Sequence, residues 1–351
     1  MANQNIINVF NKLIAEKQEV INDLKKDKVT NKKEITAINF KIVNFRKGLK
    51  AIKEFPKKIE KGEDLKDIKG VGKGIISRIN EIISEGTLKG EIKNNKERSN
   101  KLTKIEELQR ITGVGPAKAR ALVDLKIDLK RLRDAFENSE QDILKNLTHH
   151  QIIGLKYLED FEARIPRQEI IQLRVKMKKI TSKFDPELEI IVCGSFRREK
   201  EESGDIDVLF LNKKFMKEEE ILENDENYLM KMVNHLKSKK VIVDSLTDGG
   251  KTKYMGVCKL TQKYIGRRID IRLIPYESKG AAMLYFTGSG NFNKVMRTHA
   301  LKEGYTINEY GVYSLKKEGK KMVKDELIPT NNEKDIFKVV KMEYLEPKDR
   351  K

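Results

Sequence analysis

The sequence predicts an α+β multidomain protein, helical through its N-terminal part and built on a β-sheet with helices after that. Three observations carry this. Apolar residues recur at helical spacing, first as Ile6, Val9, Phe10, Leu13 and Ile14, then as Ile38, Ile42, Phe45 and Leu49. Two glycine turns of one form, Ile68-Lys69-Gly70-Val71-Gly72 and Ile111-Thr112-Gly113-Val114-Gly115, are each flanked by helical pattern. From Glu189 onward the pattern changes to short apolar runs, at 189–193, 206–211, 241–244, 254–260 and 268–274, which read as strands.

Taken in order, residues 5–55 are helical and Phe55-Pro56 ends that run, because a residue before proline is pushed out of the helical region. Each glycine turn is the hairpin of a helix-hairpin-helix. Gly70, Gly72, Gly113 and Gly115 permit the tight turn and let backbone N–H groups approach a phosphate. Lys73 and Lys118 stand near the start of the helices that follow. One such turn is often only a helix connector; two, each with a basic residue beside it, imply DNA-backbone binding. Phosphate contacts position a protein without reading sequence. The polar stretch Gly90–Lys101 reads as an interdomain linker. Helices continue through Phe161 and close at Ile165-Pro166, and the charge-rich Lys213–Glu223 reads as a solvated helix.

The chemistry concentrates in eighteen residues. Cys193-Gly194-Ser195-Phe196-Arg197-Arg198 is followed by Gly204-Asp205-Ile206-Asp207-Val208-Leu209-Phe210. Side chains at i and i+2 of a strand share a face, so Asp205 and Asp207 lie side by side while Ile206 and Val208 anchor the strand. Like charges this close need positive compensation. Two divalent metals about 3.5–4 Å apart supply it and also serve in-line phosphoryl transfer. A lone D-x-D is otherwise a strand end with solvated aspartates; here the Gly-Ser turn upstream adds a phosphate cradle. Asp270, alternating with Arg268 and Arg272, reads either as an ion-paired strand residue or as a third carboxylate. Three carboxylates form the hard-oxygen set that Mg²⁺ prefers.

Lys plus Arg number 73 against 54 Asp plus Glu, a formal charge of +19 over 351 residues, which favours a polyanionic partner. No long apolar run, signal peptide or lipidation motif suggests a membrane. Cys193 and Cys258 have neither disulfide nor zinc spacing and read as structural residues in a reducing, intracellular compartment.

Longer motifs carry a family resemblance. They are His149-His150-Gln151 with Gly154-Leu155-Lys156-Tyr157, Arg164-Ile165-Pro166-Arg167, Val192 through Arg198, and Arg267 through Pro275. Leu284-Tyr285-Phe286-Thr287-Gly288-Ser289, Thr306-Ile307-Asn308-Glu309-Tyr310 and Glu346-Pro347-Lys348-Asp349-Arg350 follow. In these the chain resembles the family X DNA polymerases, most closely the polymerase beta type, nearly end to end from about Phe45 to Arg350.

The resemblance implies a lyase-like helical domain over residues 1–92 and a second helix-hairpin-helix subdomain over 93–165. A nucleotidyltransferase palm over 166–276 and a C-terminal nucleotide-selection, thumb-like α/β subdomain over 277–351 complete it. It implies Asp205, Asp207 and Asp270 as ligands of two Mg²⁺ ions, with Mn²⁺ as a substitute. Arg164, Ser195, Arg198 and Gly204 match triphosphate contacts. Tyr285, Phe286 and Gly288 match the segment lining sugar and base, Asn293 a minor-groove contact, and Arg297 the residue abutting the template. Tyr310 and Arg272 match side chains that rearrange on closure. Backbone carbonyls of Lys66, Ile68 and Val71, and of Gln109, Ile111 and Val114, match sites for Na⁺ or K⁺. Lys41 matches a phosphate-binding position.

The implied function is template-directed filling of short DNA gaps in base excision repair. Its substrates are deoxynucleoside triphosphates and gapped or nicked DNA with a 5′-phosphate. The enzyme is expected to be a monomer working beside a DNA ligase and other repair proteins, nuclear in a cellular eukaryote and cytoplasmic or virion-borne in a virus. Two alternatives are a template-independent terminal transferase and a non-catalytic scaffold. No long loop near the palm strands and no BRCT-like domain before the first hairpin argue against the first, and three intact aspartates against the second.

Departures from the family's pattern fall on its lyase pocket. Arg78 stands where the Schiff-base lysine belongs, Gly74 and Gly90 where further lysines belong, and Phe40 where a histidine belongs. A guanidinium stays protonated and forms no imine. Lys73 is the nearest substitute nucleophile. Gly290 replaces an acidic residue expected near the nucleotide.

Overall fold

The computed structural model describes residues 3–25, 31–88, 96–319 and 321–351, with the side chains of 96–99 excepted. The chain divides into two compact units, residues 1–107 and 108–351. In the first, α1 (Gln4–Leu24) and α2 (Lys32–Glu54) precede the first hairpin, and α3 (Lys73–Glu85) and α4 (Lys96–Gln109) follow it. The apolar spacing read from the sequence becomes the core of this unit. Phe10, Leu13, Phe45, Ile52, Ile79 and Ile82 are buried together, with Phe10 and Phe45 meeting edge to face at 6.5 Å. The linker expected over Gly90–Lys101 is partly helix, since α4 begins at Lys96. Gly90 lies outside the described residues. The polar run misled because a helix with no apolar face in its first turns looks like a connector.

In the second unit, α5 (Pro116–Asp124), α6 (Leu129–Glu137), α7 (Gln141–Leu144), α8 (His149–Lys156) and α9 (Leu158–Glu162) surround the second hairpin. Then come β1 (Ile165–Pro166), α10 (Arg167–Thr181), β2 (Glu189–Val192), α11 (Gly194–Arg197), β3 (Glu202–Ser203) and β4 (Ile206–Leu211). After them lie α12 (Glu218–Leu222), α13 (Tyr228–Ser238), β5 (Ile242–Ser245), β6 (Lys253–Cys258) and β7 (Arg267–Leu273). The central sheet has order β2-β4-β7-β6-β5, with β4 and β7 parallel and the other neighbours antiparallel. Its two faces separate cleanly by period two. Ile206, Val208 and Phe210 of β4, with Ile269, Ile271 and Leu273 of β7, join Leu173 and Met177 of α10 and Met232 and Leu236 of α13 in one core. Leu209 and Leu211 turn to the opposite face, in the cluster that includes Cys193 and Ala282. Asp207 shares that second face with Leu209 and Leu211.

The C-terminal part contains α14 (Lys279–Thr287), α15 (Gly290–Lys302), a β8 (Tyr305–Ile307), β9 (Val312–Glu318), β10 (Lys321–Ile328) meander and α16 (Glu333–Val339). Lys213–Glu223 is not one solvated helix. Only Glu218–Leu222 is helical, and Phe215 and Ile221 are buried in the sheet's core. The charges hid two apolar anchors. A buried ion pair braces the junction between the helical and sheet parts: Arg267 of β7 donates two hydrogen bonds to Glu169 of α10, at 2.9 and 2.8 Å. The same guanidinium donates to the carbonyls of Ala163 and Arg164, both at 3.2 Å.

Candidate active site

The Gly-Ser turn and the carboxylates come together on the sheet. The Cys193 N–H donates to the Asp207 carbonyl at 2.8 Å, which fastens α11 to the start of β4. Gly194 sits at φ +56°, and a Cβ there would lie 2.3 Å from Asp207 Oδ2. Only glycine both adopts that backbone and leaves room for the carboxylate. On β4 and β7, Asp207 and Asp270 are direct cross-strand partners in the parallel pair. Asp205, just before β4, is ion-paired with Arg268.

Electrostatics mark this pair as out of balance. Burial first, then the charges of Asp205 and Asp270, push the Asp207 pKa up to about 7. Burial also raises Asp270, against the attraction of Arg268. Asp270 Oδ1 is buried and has no hydrogen-bond partner. A buried acceptor without a donor is costly, and a hard divalent cation between Asp207 and Asp270 would satisfy it. The donor set therefore fits a divalent metal. Among the described residues no three acidic, histidine or cysteine side chains are already gathered as a ligand set; Asp205 is held by Arg268 instead.

The expected triphosphate residues border the carboxylates. Ser195 donates its hydroxyl to Ser203 at 2.8 Å. Arg198 donates to the Thr287 carbonyl at the end of α14, and burial lowers its pKa against the pull of Asp207 and Asp205. Arg164 donates to the Glu202 carbonyl at 3.1 Å and lies against Gly204. Asn293 of α15 donates to the Tyr285 carbonyl at 2.8 Å, and Tyr285, Asn293 and Arg297 line one small hollow. Arg272 stands 5.5 Å over the Phe286 ring. Burial pushes Tyr310 up to about 12, with Glu218 as its hydrogen-bond partner. Gly290 has open space around the position of a Cβ.

Both hairpins adopt the same turn. Val71 N–H donates to Ile68 carbonyl at 3.0 Å and Val114 N–H to Ile111 carbonyl at 2.9 Å. Gly70 and Gly113 sit at φ +97° and +87°. Gly72 and Gly115 are the N-caps of α3 and α5, placing Lys73 and Lys118 in the helices' first turns. The second hairpin is braced by α8, where Gln151 donates its side-chain amide to the Gly113 carbonyl at 2.8 Å.

In the first unit a cavity of about 530 Å³ is lined by Lys41, Phe45, Gly72, Gly74, Ile75 and Arg78. Arg78 lies 5.0 Å over the Phe45 ring and donates to the Gly74 carbonyl at 2.6 Å. Lys73 is exposed and does not line the cavity. Phe40 is 69% exposed on α2.

Four family models match consecutive stretches of the chain. They are a helix-hairpin-helix domain at residues 1–88, the fingers domain of DNA polymerase lambda at 106–162, the DNA polymerase beta palm at 164–276 and the DNA polymerase beta thumb at 282–351. The chain belongs to the family X DNA polymerases. DNA polymerase lambda of Rattus norvegicus is 30% identical over 341 residues, covering 92% of this chain and 56% of that protein. DNA polymerase lambda of Arabidopsis thaliana is 27% identical over 360 residues, with 99% and 62% covered. DNA nucleotidylexotransferase of Xenopus laevis is 27% identical over 341 residues, with 88% and 63% covered. The chain thus spans roughly three-fifths of the length of these curated relatives. Within the family's frame the carboxylate pair belongs to the palm, and α14 and α15 stand at the start of the thumb.

Sequence reasoning missed Arg268 as the holder of Asp205, and missed Thr287 as an acceptor for Arg198. For Arg268 the signal was present, two residues before Asp270 on a strand and therefore on the same face.

Proposed function

We propose that the chain is a template-directed DNA polymerase that fills short gaps in DNA during base excision repair. The observation that carries this is the Asp207–Asp270 pair on adjacent parallel strands, with Asp207 against Gly194 of the Gly-Ser turn and an unsatisfied buried oxygen on Asp270. Family X polymerases depend on divalent metal; here Asp205, Asp207 and Asp270 would hold Mg²⁺. Such ions activate the attacking hydroxyl and stabilise the charge that develops on the transferred phosphoryl group. Asp270 is the acceptor for the primer 3′-hydroxyl proton. Arg198 and Ser195 neutralise the triphosphate, and Arg164 and Gly204 border it. Tyr285, Phe286, Gly288 and Asn293 hold sugar and base, and Arg297 meets the template.

The two hairpins grip the DNA backbone through Gly70, Gly72, Lys73, Gly113, Gly115 and Lys118. The Ile68 and Ile111 carbonyls each accept one turn bond, which leaves a lone pair on each for Na⁺ or K⁺ alongside Lys66, Val71, Gln109 and Val114. Lys41 and its cavity take the downstream 5′-phosphate. Primer extension on a one-nucleotide gap should therefore exceed that on an open template several-fold at low salt. The preference should fade as salt rises, because it rests on phosphate contacts. Equal rates on the two substrates at low salt would count against the reading. Efficient extension of single-stranded primers without template would favour a terminal transferase, the activity named for the Xenopus relative.

The cavity is a phosphate clamp without a lyase. Arg78 cannot form the imine and is folded onto Phe45 and Gly74. Borohydride trapping on incised abasic DNA should give little or no adduct with the native chain and a gain with Arg78→Lys. Efficient native trapping eliminated by Lys73→Ala would show that the nucleophile has moved.

A further inference from the structure

The largest fully buried side chain is a cation near the end of the described chain, Arg350. Its guanidinium donates to Glu333 at 2.6 Å and to the Leu345 carbonyl at 3.0 Å. It lies within 5.7 Å of the ring centres of Phe292, Phe337 and Tyr344. Glu333, itself 7% exposed, also accepts two hydrogen bonds from Arg197 of α11, at 2.8 and 2.5 Å. One buried carboxylate therefore holds two guanidiniums from opposite sides of the palm–thumb junction.

Both arginines lead to the nucleotide site. Arg197 donates to the Thr287 hydroxyl, while its neighbour Arg198 donates to the Thr287 carbonyl. The Arg350 carbonyl accepts the N–H of Ser289 at 3.3 Å, and Ser289 caps α15 through Phe292 N–H. The turn Thr287–Ser289 is thus fixed by the tail on one side and by α11 on the other.

We propose that Glu333 is a positioning residue for the incoming nucleotide. It ties α11, which carries Ser195 and is followed directly by Arg198, to the Thr287–Ser289 turn and so sets the spacing between triphosphate and sugar subsites. The proposal rests on the polymerase reading above. Glu333 and Arg350 touch none of the reacting atoms, and the subsites whose spacing they set hold the nucleotide before the reaction as well as during it, so their loss should weaken binding mainly in a way common to both states. That pattern raises KM and spares kcat.

Steady-state gap filling with the full chain tests it. Glu333→Gln should raise the nucleotide KM about tenfold with kcat within about threefold of wild type, and leave the Kd for gapped DNA unchanged. Arg350→Lys should give a smaller rise, since it keeps the charge and loses the fork. Removing one partner of a buried ion cluster can prevent folding. Thr287→Val keeps the cluster and removes the hydroxyl through which Arg197, and also Cys193, reach the turn, so it should raise KM in the same direction. A folded Glu333→Gln or Thr287→Val protein with a lowered melting temperature and an unchanged KM would show a merely structural role and overturn the proposal. Absence of gap filling by the wild-type chain would instead overturn the polymerase reading.

Discussion

Asp270→Ala should lower nucleotide addition in a one-nucleotide gap by about a thousandfold or more, roughly 4 kcal/mol of transition-state stabilisation. Binding of gapped DNA should stay within about twofold, because the carboxylate acts on the 3′-hydroxyl and not on the duplex. The size of the effect follows from its position. Asp270 stands opposite Asp207 across two parallel strands, and its buried Oδ1 has no hydrogen-bond partner, so the oxygen is available to the reaction and alanine removes it. Single-turnover extension and a DNA-binding titration on the same preparation check both halves. Residual activity within about tenfold of wild type, a loss of only ~1.4 kcal/mol, would remove Asp270 from the reaction.

Glu169→Ala should destabilise the second unit by about 3–5 kcal/mol, the usual cost of leaving one member of a buried ion pair uncompensated. Arg267 and Glu169 are 6% and 7% exposed and share two hydrogen bonds. Without the carboxylate, Arg267 keeps only its bonds to the Ala163 and Arg164 carbonyls. Urea unfolding measures the loss, and Glu169→Gln should recover part of it by retaining an acceptor. A change below about 1 kcal/mol would mean the pair is as weak as an exposed one.

The parts of this molecule that follow from local periodicity were legible in the sequence. Alternation set Asp207 on the sheet face opposite Ile206 and Val208, because strand geometry fixes which face each residue takes. The hairpin glycines were legible too, since Gly70 and Gly113 occupy backbone conformations that other residues rarely adopt. Pairings between distant segments were not. Nothing local fixes the register that sets Asp207 against Asp270, which depends on how β4 and β7 pair. The Arg197–Glu333 contact joins residues 136 positions apart, and no local pattern links an arginine of the Gly-Ser motif to that glutamate. Phe215 was hidden for the opposite reason, as an apolar anchor inside a charged run. For the lyase pocket, Arg78 signalled the loss of the amine, and the fold added the way its guanidinium is stowed.

Asp207 links the stability of the palm to pH. Its carboxyl titrates near 7 in the folded chain because burial, followed by its carboxylate neighbours, disfavours the charge. The unfolded chain gives up that proton near the ordinary value of 3.8. The neutral carboxyl therefore favours folding below about 3.8, and that contribution is lost as pH rises toward about 7. Above that range the buried charge weighs against the fold, and a divalent cation held by Asp207 and Asp270 would offset it. Acidification would then weaken the binding of such a cation, because proton and cation compete for the same oxygens. The burial that disfavours a bare charge at Asp207 would thus favour one matched by a cation.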